Sequence, residues 1–221
     1  MASRLGLPLA PVLPAYLCPV PGSLYTVLMG YKEAPVDEAR RLFAGRASRL
    51  FADFFVTHRT CLAEATGDGV VDLIVPVPSS SRPGRASLEA VEGLGARSVA
   101  SVRPGATWAP RVLQRAEGGI GPMRPNARAF AVPDSWRATV RGSRVLLLDD
   151  TYVSGARAQS AAAALRRRGA GTVLIVPLGR VIRPERFVSH AAFVNGQAGG
   201  EAAGDGHRSR CRLVQTGAGK G

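Results

Sequence analysis

The chain has 221 residues, of which 46% are hydrophobic, and a formal net charge of +13. This length and composition suit one α/β domain with short appendages, and they exclude a wholly disordered chain because enough apolar surface is available for a core. The longest apolar runs, residues 145–148 and 172–178, are too short to cross a bilayer.

Residues 1–22 are predicted to form an irregular leader. Pro8, Pro11 and Pro14 interrupt this stretch, so it lacks the unbroken apolar helix of a secretory signal. We therefore expect a cytoplasmic protein with no membrane partner.

The positive charge comes almost entirely from arginine, because Lys32 and Lys220 are the only lysines. The planar guanidinium group binds phosphate oxygens in pairs, which fits a polyphosphate ligand and equally a nucleic-acid surface. A GC-rich coding sequence would also replace lysine by arginine without functional meaning. Charge alone leaves these explanations open.

Hydrophobic periodicity predicts a long helix over residues 36–62, with one apolar face in the core. That face comprises Ala39, Leu42, Phe43, Ala47, Leu50, Phe51, Phe54 and Phe55. Apolar runs dense in branched residues predict buried strands. The predicted strands cover residues 70–77, 97–102, 143–148 and 172–178, and the shorter predicted helices cover residues 87–94 and 156–168.

The succession of strand, helix and strand over residues 143–178 is typical of a βαβ unit and implies a parallel sheet. The fold class expected is therefore α/β, an open parallel sheet flanked by helices, within one domain over residues 23–194. Residues 103–136 predict a long working loop, since they carry arginine, glycine and proline. Residues 195–221, rich in glycine and alanine, predict a disordered tail.

Two aspartates, Asp149 and Asp150, follow the predicted strand 143–148, where open α/β sheets bind their ligands. The helix after them presents unpaired N–H groups that attract a phosphate, and Gly155 allows the backbone to approach it. Two adjacent carboxylates would repel a phosphate unless they bound something else. They suit a vicinal diol and a hydrated divalent cation such as Mg²⁺. Together these features favour a ribose 5-phosphate that bears pyrophosphate.

A purely structural alternative is a surface turn in which the aspartates cap the following helix. A cap needs one acid, however, and does not require Ser154 and Gly155 further on. A dinucleotide site fits less well, because no G-x-G-x-x-G sequence follows a predicted strand, and a Walker sequence is absent as well.

The pattern of four apolar residues, two aspartates, three residues and Ser-Gly-Ala resembles the phosphoribosyl pyrophosphate (PRPP) motif of type I phosphoribosyltransferases. The resemblance implies that Asp149 and Asp150 are catalytic, bind the ribose hydroxyls and hold Mg²⁺ through water. The residues that it implies for PRPP binding, around the 5-phosphate, are Thr151, Tyr152, Val153, Ser154, Gly155, Ala156 and Arg157. Arg157 departs from the family pattern, which usually has serine or threonine at that position.

Residues 24–182 also resemble the narrower ComF-like (amidophosphoribosyltransferase-like) group, associated with DNA uptake. The resemblance rests on Tyr31-Lys32, residues 75–78 and residues 124–130, whereas the four-cysteine zinc ribbon common in that group is absent. It implies a small N-terminal hood within residues 23–69. It also implies a pyrophosphate site formed by Ser80, Ser81, Arg82, Arg85 and Arg128. Lys32 itself is expected to be a solvated lysine at a helix edge.

The function that the resemblance implies is transfer of ribose phosphate from PRPP to a nitrogenous acceptor, with release of pyrophosphate. The partners expected are therefore PRPP and that acceptor. One alternative is a regulator that binds PRPP or a nucleotide without catalysis. Another is a ComF-like accessory protein in DNA uptake or processing, although direct binding of nucleic acid is the lesser expectation. The sequence is compatible with a homo-oligomer.

Overall fold

A five-stranded parallel sheet organises the chain, in the order β1-β7-β6-β2-β3. This computed structural model describes residues 1–58, 62, 70–78, 105–116, 120, 123–183 and 185. The strands are β1 (Tyr16–Pro19), β2 (Leu73–Pro76), β3 (Thr107–Trp108), β4 (Gln114–Arg115), β5 (Phe130–Ala131), β6 (Arg144–Tyr152) and β7 (Thr172–Ile182). β4 and β5 form a separate antiparallel pair. The α/β class with a parallel sheet and flanking helices is confirmed.

Helices cover both faces of the sheet. They are α1 (Ala2–Leu5), α2 (Ser23–Glu33), α3 (Asp37–Thr57), α4 (Arg137–Val140), which follows a short 3-10 turn (Asp134–Trp136), and α5 (Ala156–Arg167). α2 and α3 pack on one face through a cluster that includes Phe51, Phe54 and Phe55. α5 packs on the other face, largely through alanines. No helix in the described part of the chain is long and apolar enough to cross a membrane.

The central strand β6 serves both cores because successive side chains of a strand point to opposite faces. Leu146 and Leu148 belong to the cluster under α2 and α3, whereas Val145 and Leu147 belong to the cluster under α5. The same alternation, continued beyond Leu148, sends the next two side chains to opposite faces of the sheet.

β6 extends four residues beyond Leu148, where the predicted strand ended. Its pairing with β2 stops at Pro76 and Leu148, but its pairing with β7 continues to Tyr152 and Arg180. Asp149 and Asp150 therefore lie in the final part of the strand, at its carboxyl end, and β7 supports them on one side only.

The N-terminal 22 residues are not the irregular leader that the sequence predicts. Ile175 donates to the Pro11 carbonyl, Leu13 donates to the Ile175 carbonyl, and β1 then pairs with β7. Pro11 and Pro14 are tolerated here because an edge strand can turn the nitrogens that lack hydrogen away from its neighbour. This stretch therefore belongs to the sheet.

The structure also differs from the sequence predictions in the core face of α3, in the loop over residues 103–136 and in the hood. Leu42, assigned to the core face of the long helix, is 56% exposed, because the buried face runs through Ala44, Ala47 and Phe51 instead. The loop expected over residues 103–136 contains β3, which extends the sheet beside β2, and the β4–β5 pair. In place of a separate hood, α2 and α3 form a layer of the main core. The elements predicted over residues 87–94 and 97–102 and the tail 195–221 lie outside the described residues.

Candidate functional site

The site lies where the direction of the chain connections reverses within the sheet. β6 leads through α5 to β7 on one side, whereas β2 leads to β3 on the other. In open α/β sheets, the loops at such a point diverge from the carboxyl ends of the strands and leave a crevice between them. In this sheet the switch point lies between β2 and β6.

Asp149 and Asp150 are both buried at this point, 2% and 1% exposed. Burial of two carboxylates is unfavourable unless each is paired with donors or cations. The alternation of β6 gives each acid different partners. Asp150 meets α2, on the face of the phenylalanine cluster, and both acids meet Arg157 from the first turn of α5.

Asp150 uses both of its carboxylate oxygens. The Tyr31 hydroxyl donates a short hydrogen bond to Oδ2, and Lys32 Nζ lies 3.0 Å from Oδ1. Arg157 Nη2 lies 3.3 Å from the same Oδ1. Lys32 Nζ also donates to the Thr151 hydroxyl at 3.1 Å. Asp150 is thus tied to both flanking helices and acts as a fixed point of the site.

Asp149 keeps one oxygen uncommitted. Its Oδ1 accepts from Arg157 Nη2 at 3.0 Å and from the backbone N–H of Asp150 at 3.0 Å. Within the described residues, no donor reaches its Oδ2. A buried carboxylate oxygen without a donor is costly, so it is the natural acceptor for a hydroxyl group of a ligand.

The two acids differ in proton affinity. Burial, above all, raises the pKa of Asp149 above its usual range despite the attraction of Arg157. Burial also acts to raise the pKa of Asp150, but Lys32, Arg157 and the Tyr31 hydrogen bond together outweigh it and hold that pKa below its usual range. Burial, and then Asp150, raise the pKa of Tyr31 well above its usual value. Tyr31 therefore remains a donor to an ionised Asp150 at neutral pH.

The loop between β6 and α5 has the form of an anion cradle. Gly155 caps the helix with φ 76°, in the left-handed region that favours glycine. The Ala156 N–H lies 3.3 Å from the Ser154 hydroxyl oxygen. The first backbone hydrogen bond of the helix is donated by the Gln159 N–H to the Gly155 carbonyl. The N–H groups of this first turn carry the positive end of the helix dipole. The loop combines these donors with the Arg157 guanidinium.

Three features of this site were missed by sequence reasoning. Lys32 is a partner of Asp150, not a solvated lysine, although its side chain is 25% exposed. Tyr31 is buried and bonded to the same acid. Arg157 turns back over the aspartates. The pair Tyr31-Lys32 was part of the resemblance to the ComF-like group, and that was the available signal.

The predicted pyrophosphate residues are only partly covered by the structure. Ser80, Ser81, Arg82 and Arg85 lie outside the described residues. Arg128 is exposed and lines an open cleft of about 770 Å³ together with Arg4, Ile120 and residues 124–127. In that segment, Asn126 bonds to Ser160 and Val132 to Arg168, so the chain runs beside α5 in the same direction as the helix. Arg128 therefore lies farther along α5 from the aspartates than Asn126 does.

The contacts of the carboxylates do not fit direct coordination of Mg²⁺. Three of their four oxygens already accept hydrogen bonds, and two protein cations lie within 3.3 Å of them. Within the described residues, no group of three or more histidine, cysteine, aspartate or glutamate side chains could hold a metal ion. Mg²⁺ prefers several oxygen ligands and water molecules, and two protein cations beside these oxygens disfavour a further cation bound directly to them.

No protein-family model matches the chain, and no curated protein matches it.

Proposed function

We propose that this chain is a type I phosphoribosyltransferase-like enzyme of the ComF-like kind, a glycosyltransferase that binds PRPP and transfers its ribose phosphate to a nitrogenous acceptor. The observation that carries this proposal is the combination at the end of β6. A buried acid pair, one of whose oxygens accepts from no donor in the described part of the chain, is followed directly by a glycine-capped loop and the first turn of α5. A diol acceptor and a phosphate cradle thus lie a few residues apart.

In this proposal, Asp149 and Asp150 have different roles. Asp149 Oδ2 accepts a hydrogen bond from a ribose hydroxyl, which satisfies the buried oxygen. Asp150 is a positioning residue, since Tyr31 and Lys32 hold it from α2. The 5-phosphate binds to the N–H groups at the start of α5, where the helix dipole favours an anion. The rest of the phosphate-binding loop consists of Thr151, Tyr152, Val153, Ser154 and Ala156.

Pyrophosphate would leave the anomeric carbon through an oxocarbenium-like transition state, as in other glycosyl transfers. No protein nucleophile is required, so positioning of the acceptor and stabilisation of the leaving group account for the chemistry. β2 is paired with β6 up to Pro76 and Leu148, so the chain leaves β2 beside the aspartates, which supports the pyrophosphate assignment to Ser80, Ser81, Arg82 and Arg85. Mg²⁺ enters this scheme as a counter-ion of the PRPP pyrophosphate and thus as part of the substrate.

A second candidate is a regulator that binds PRPP without turning it over. The feature that favours it is the neutralised acid pair, because Lys32 and Arg157 hold the carboxylates in a structural ion cluster. The two candidates make the same prediction for binding and differ in pyrophosphate release. An assay for released pyrophosphate, with purine and pyrimidine bases and ammonia as acceptors, separates them.

The test of the binding site uses an exposed residue, so that folding is not disturbed. Val153 lies in the cradle loop and is 65% exposed. Val153→Asp places a negative charge beside the proposed phosphate position. At a separation of about 7 Å and an effective dielectric constant of about 40, the repulsion is roughly 1.2 kcal/mol, or about sevenfold in affinity for each phosphate charge. Val56→Asp is the matched control, because Val56 is equally exposed but lies on α3.

Calorimetric titration of PRPP into the wild type and both variants gives the answer. We expect the wild type and Val56→Asp to bind PRPP alike, and Val153→Asp to bind it at least tenfold more weakly. Equal binding by all three proteins would mean that the phosphate does not bind at this loop. If the wild type does not bind PRPP, both the transferase and the regulator hypotheses are wrong, and the accessory role in DNA uptake or processing is left.

A further inference from the structure

The acid pair and its cations form a closed, charge-balanced cluster. Asp149 and Asp150 supply two negative charges, and Lys32 and Arg157 supply two positive charges at 3.0 to 3.3 Å. Arg157 contacts both acids, whereas Lys32 forms its ion pair with Asp150, although its charge also acts to lower the pKa of Asp149. Among the described residues, the two buried carboxylates are thus matched by two protein cations.

The positions of these groups also leave little room for a metal ion. Oδ1 of Asp150 is shared by both cations, and its Oδ2 is taken by the Tyr31 hydroxyl. A divalent ion that reached these oxygens would have to displace a cation or lie close to both, and the repulsion would be strong in a buried site. Among the described groups, only Asp149 Oδ2 is left for a metal, and a single carboxylate oxygen holds Mg²⁺ only with further ligands from water or substrate.

Unlike a metal ion, which must bind from solution, the two cations are side chains of the protein. The side chains of Lys32 and Arg157 are 25% and 23% exposed, so they lie between the buried acids and solvent. Each belongs to a helix packed on a different face of the sheet. Their positive charge is therefore a permanent property of the fold, present before any ligand arrives.

We infer that Lys32 and Arg157 replace a divalent metal at this site, so that the phosphorylated sugar binds with no metal held by Asp149 and Asp150. The ligand named here rests on the proposed function, but the statement about the carboxylates concerns the protein alone. The two can therefore fail separately.

The first experiment measures metal binding without any ligand. Electron paramagnetic resonance counts free Mn²⁺, a spectroscopic substitute for Mg²⁺, as the protein is titrated. Three variants are compared with the wild type. Arg157→Met and Lys32→Met each remove one cation but keep the apolar stem, and Arg40→Met is the matched control because Arg40 pairs with the exposed Asp37 on α3. Circular dichroism confirms that each variant is folded.

We expect the wild type and Arg40→Met to hold no Mn²⁺ that depends on Asp149, as shown by identical titrations of the wild type and Asp149→Asn. Arg157→Met should gain at least about tenfold in Mn²⁺ affinity, because both acids lose their shared counter-ion. Lys32→Met should gain less, since Lys32 forms its ion pair with Asp150 and acts on Asp149 through its charge without a direct ion pair. A wild-type Mn²⁺ site that disappears in Asp149→Asn would overturn the inference, even if the variants that lack a cation fail to fold.

The second experiment uses ribose 5-phosphate, which carries the diol and the phosphate but no pyrophosphate that could itself bind metal. Its affinity for the wild type should agree within about threefold between excess Mg²⁺ and EDTA. Binding only in the presence of Mg²⁺ would refute the inference and leave the proposed function standing. If neither ribose 5-phosphate nor PRPP binds under either condition, the proposed function fails, and the Mn²⁺ titration still decides how the carboxylates are neutralised.

Discussion

The Tyr31 hydroxyl donates a hydrogen bond to Asp150 Oδ2 across 119 positions of sequence. Both groups are buried, and the bond joins the end of the central strand to the helical layer on one face of the sheet. The position of the acid pair therefore depends on the packing of α2 as well as on β6. A substitution in α2 should therefore alter the position of the acid pair, and a substitution at the acid pair should alter the packing of α2.

Tyr31→Phe should lower the free energy of unfolding at neutral pH by about 1–3 kcal/mol, since it leaves a buried carboxylate oxygen without its donor. The pKa of Asp150 is depressed in the folded protein, so its ionised form contributes stability above about pH 4, which is lost as the pH falls through the folded pKa. Without the Tyr31 bond this pKa rises, and the midpoint of acid unfolding should move to higher pH. Urea unfolding across a pH series measures both effects.

Tyr25→Phe is the control for that substitution, because Tyr25 is half-buried on the same helix and has no hydrogen bond to the site. It should change neither the stability at neutral pH nor the acid midpoint by more than a small amount. An unchanged acid midpoint in Tyr31→Phe would show that the hydroxyl does not stabilise the ionised form of Asp150.

Asp150→Asn should be much more damaging than the same change at Asp72. It leaves Lys32 and Arg157 beside a neutral, buried side chain, and breaking a buried ion pair costs about 3–5 kcal/mol, less here because both cations are partly exposed. Asp72 pairs with Arg144 near the surface, where such pairs contribute about 0–1 kcal/mol. Urea unfolding of the two variants at neutral pH compares them directly. Similar losses would mean that the cluster contributes no more than a surface ion pair.

The β6–α5–β7 unit could be predicted from sequence because each of its elements is long and strongly patterned. The apolar run before Asp149 forms a strand that begins within one residue of its predicted start, and the alanine-rich run after Gly155 forms a helix with nearly the predicted bounds. Local signals of this kind depend on residues that are neighbours in the chain. The position of the aspartates at the end of a parallel strand followed from them.

The rest depended on contacts between distant residues. β1 has only four residues and follows three prolines, so it shows no periodicity, and its strand character comes from pairing with β7. Lys32 has the composition of an exposed helix position, and only the approach of α2 to β6 makes it a partner of Asp150. The extension of β6 to Tyr152 depends on β7 in the same way.

Gln159→Ala should weaken the attachment of the N-terminal segment to α5. The buried side-chain amide of Gln159 accepts from the Ala10 N–H and donates to the Ala10 carbonyl, both at 2.9 Å. Its loss leaves two buried backbone groups without partners, at about 1–3 kcal/mol each before water enters. We expect urea unfolding to show a loss of at least about 2 kcal/mol and hydrogen exchange to rise at residues 10–15. Gln114→Ala, on the exposed strand β4, is the control and should be nearly neutral.

Gly155→Ala tests the backbone at the entrance to α5, with Gly142→Ala as a matched control. Both glycines have left-handed φ angles, 76° and 73°, so alanine is strained by about 1–2 kcal/mol at either position. The space around them differs, because a Cβ at Gly155 would overlap the Tyr152 ring, whereas a Cβ at Gly142 meets open space. Gly155→Ala should therefore lose about 1–3 kcal/mol more than Gly142→Ala in urea unfolding. Adding Tyr152→Ala should remove most of that excess. If the two single variants lose the same amount, the Tyr152 ring does not pack over Gly155 and the loop is more open than the structure has it.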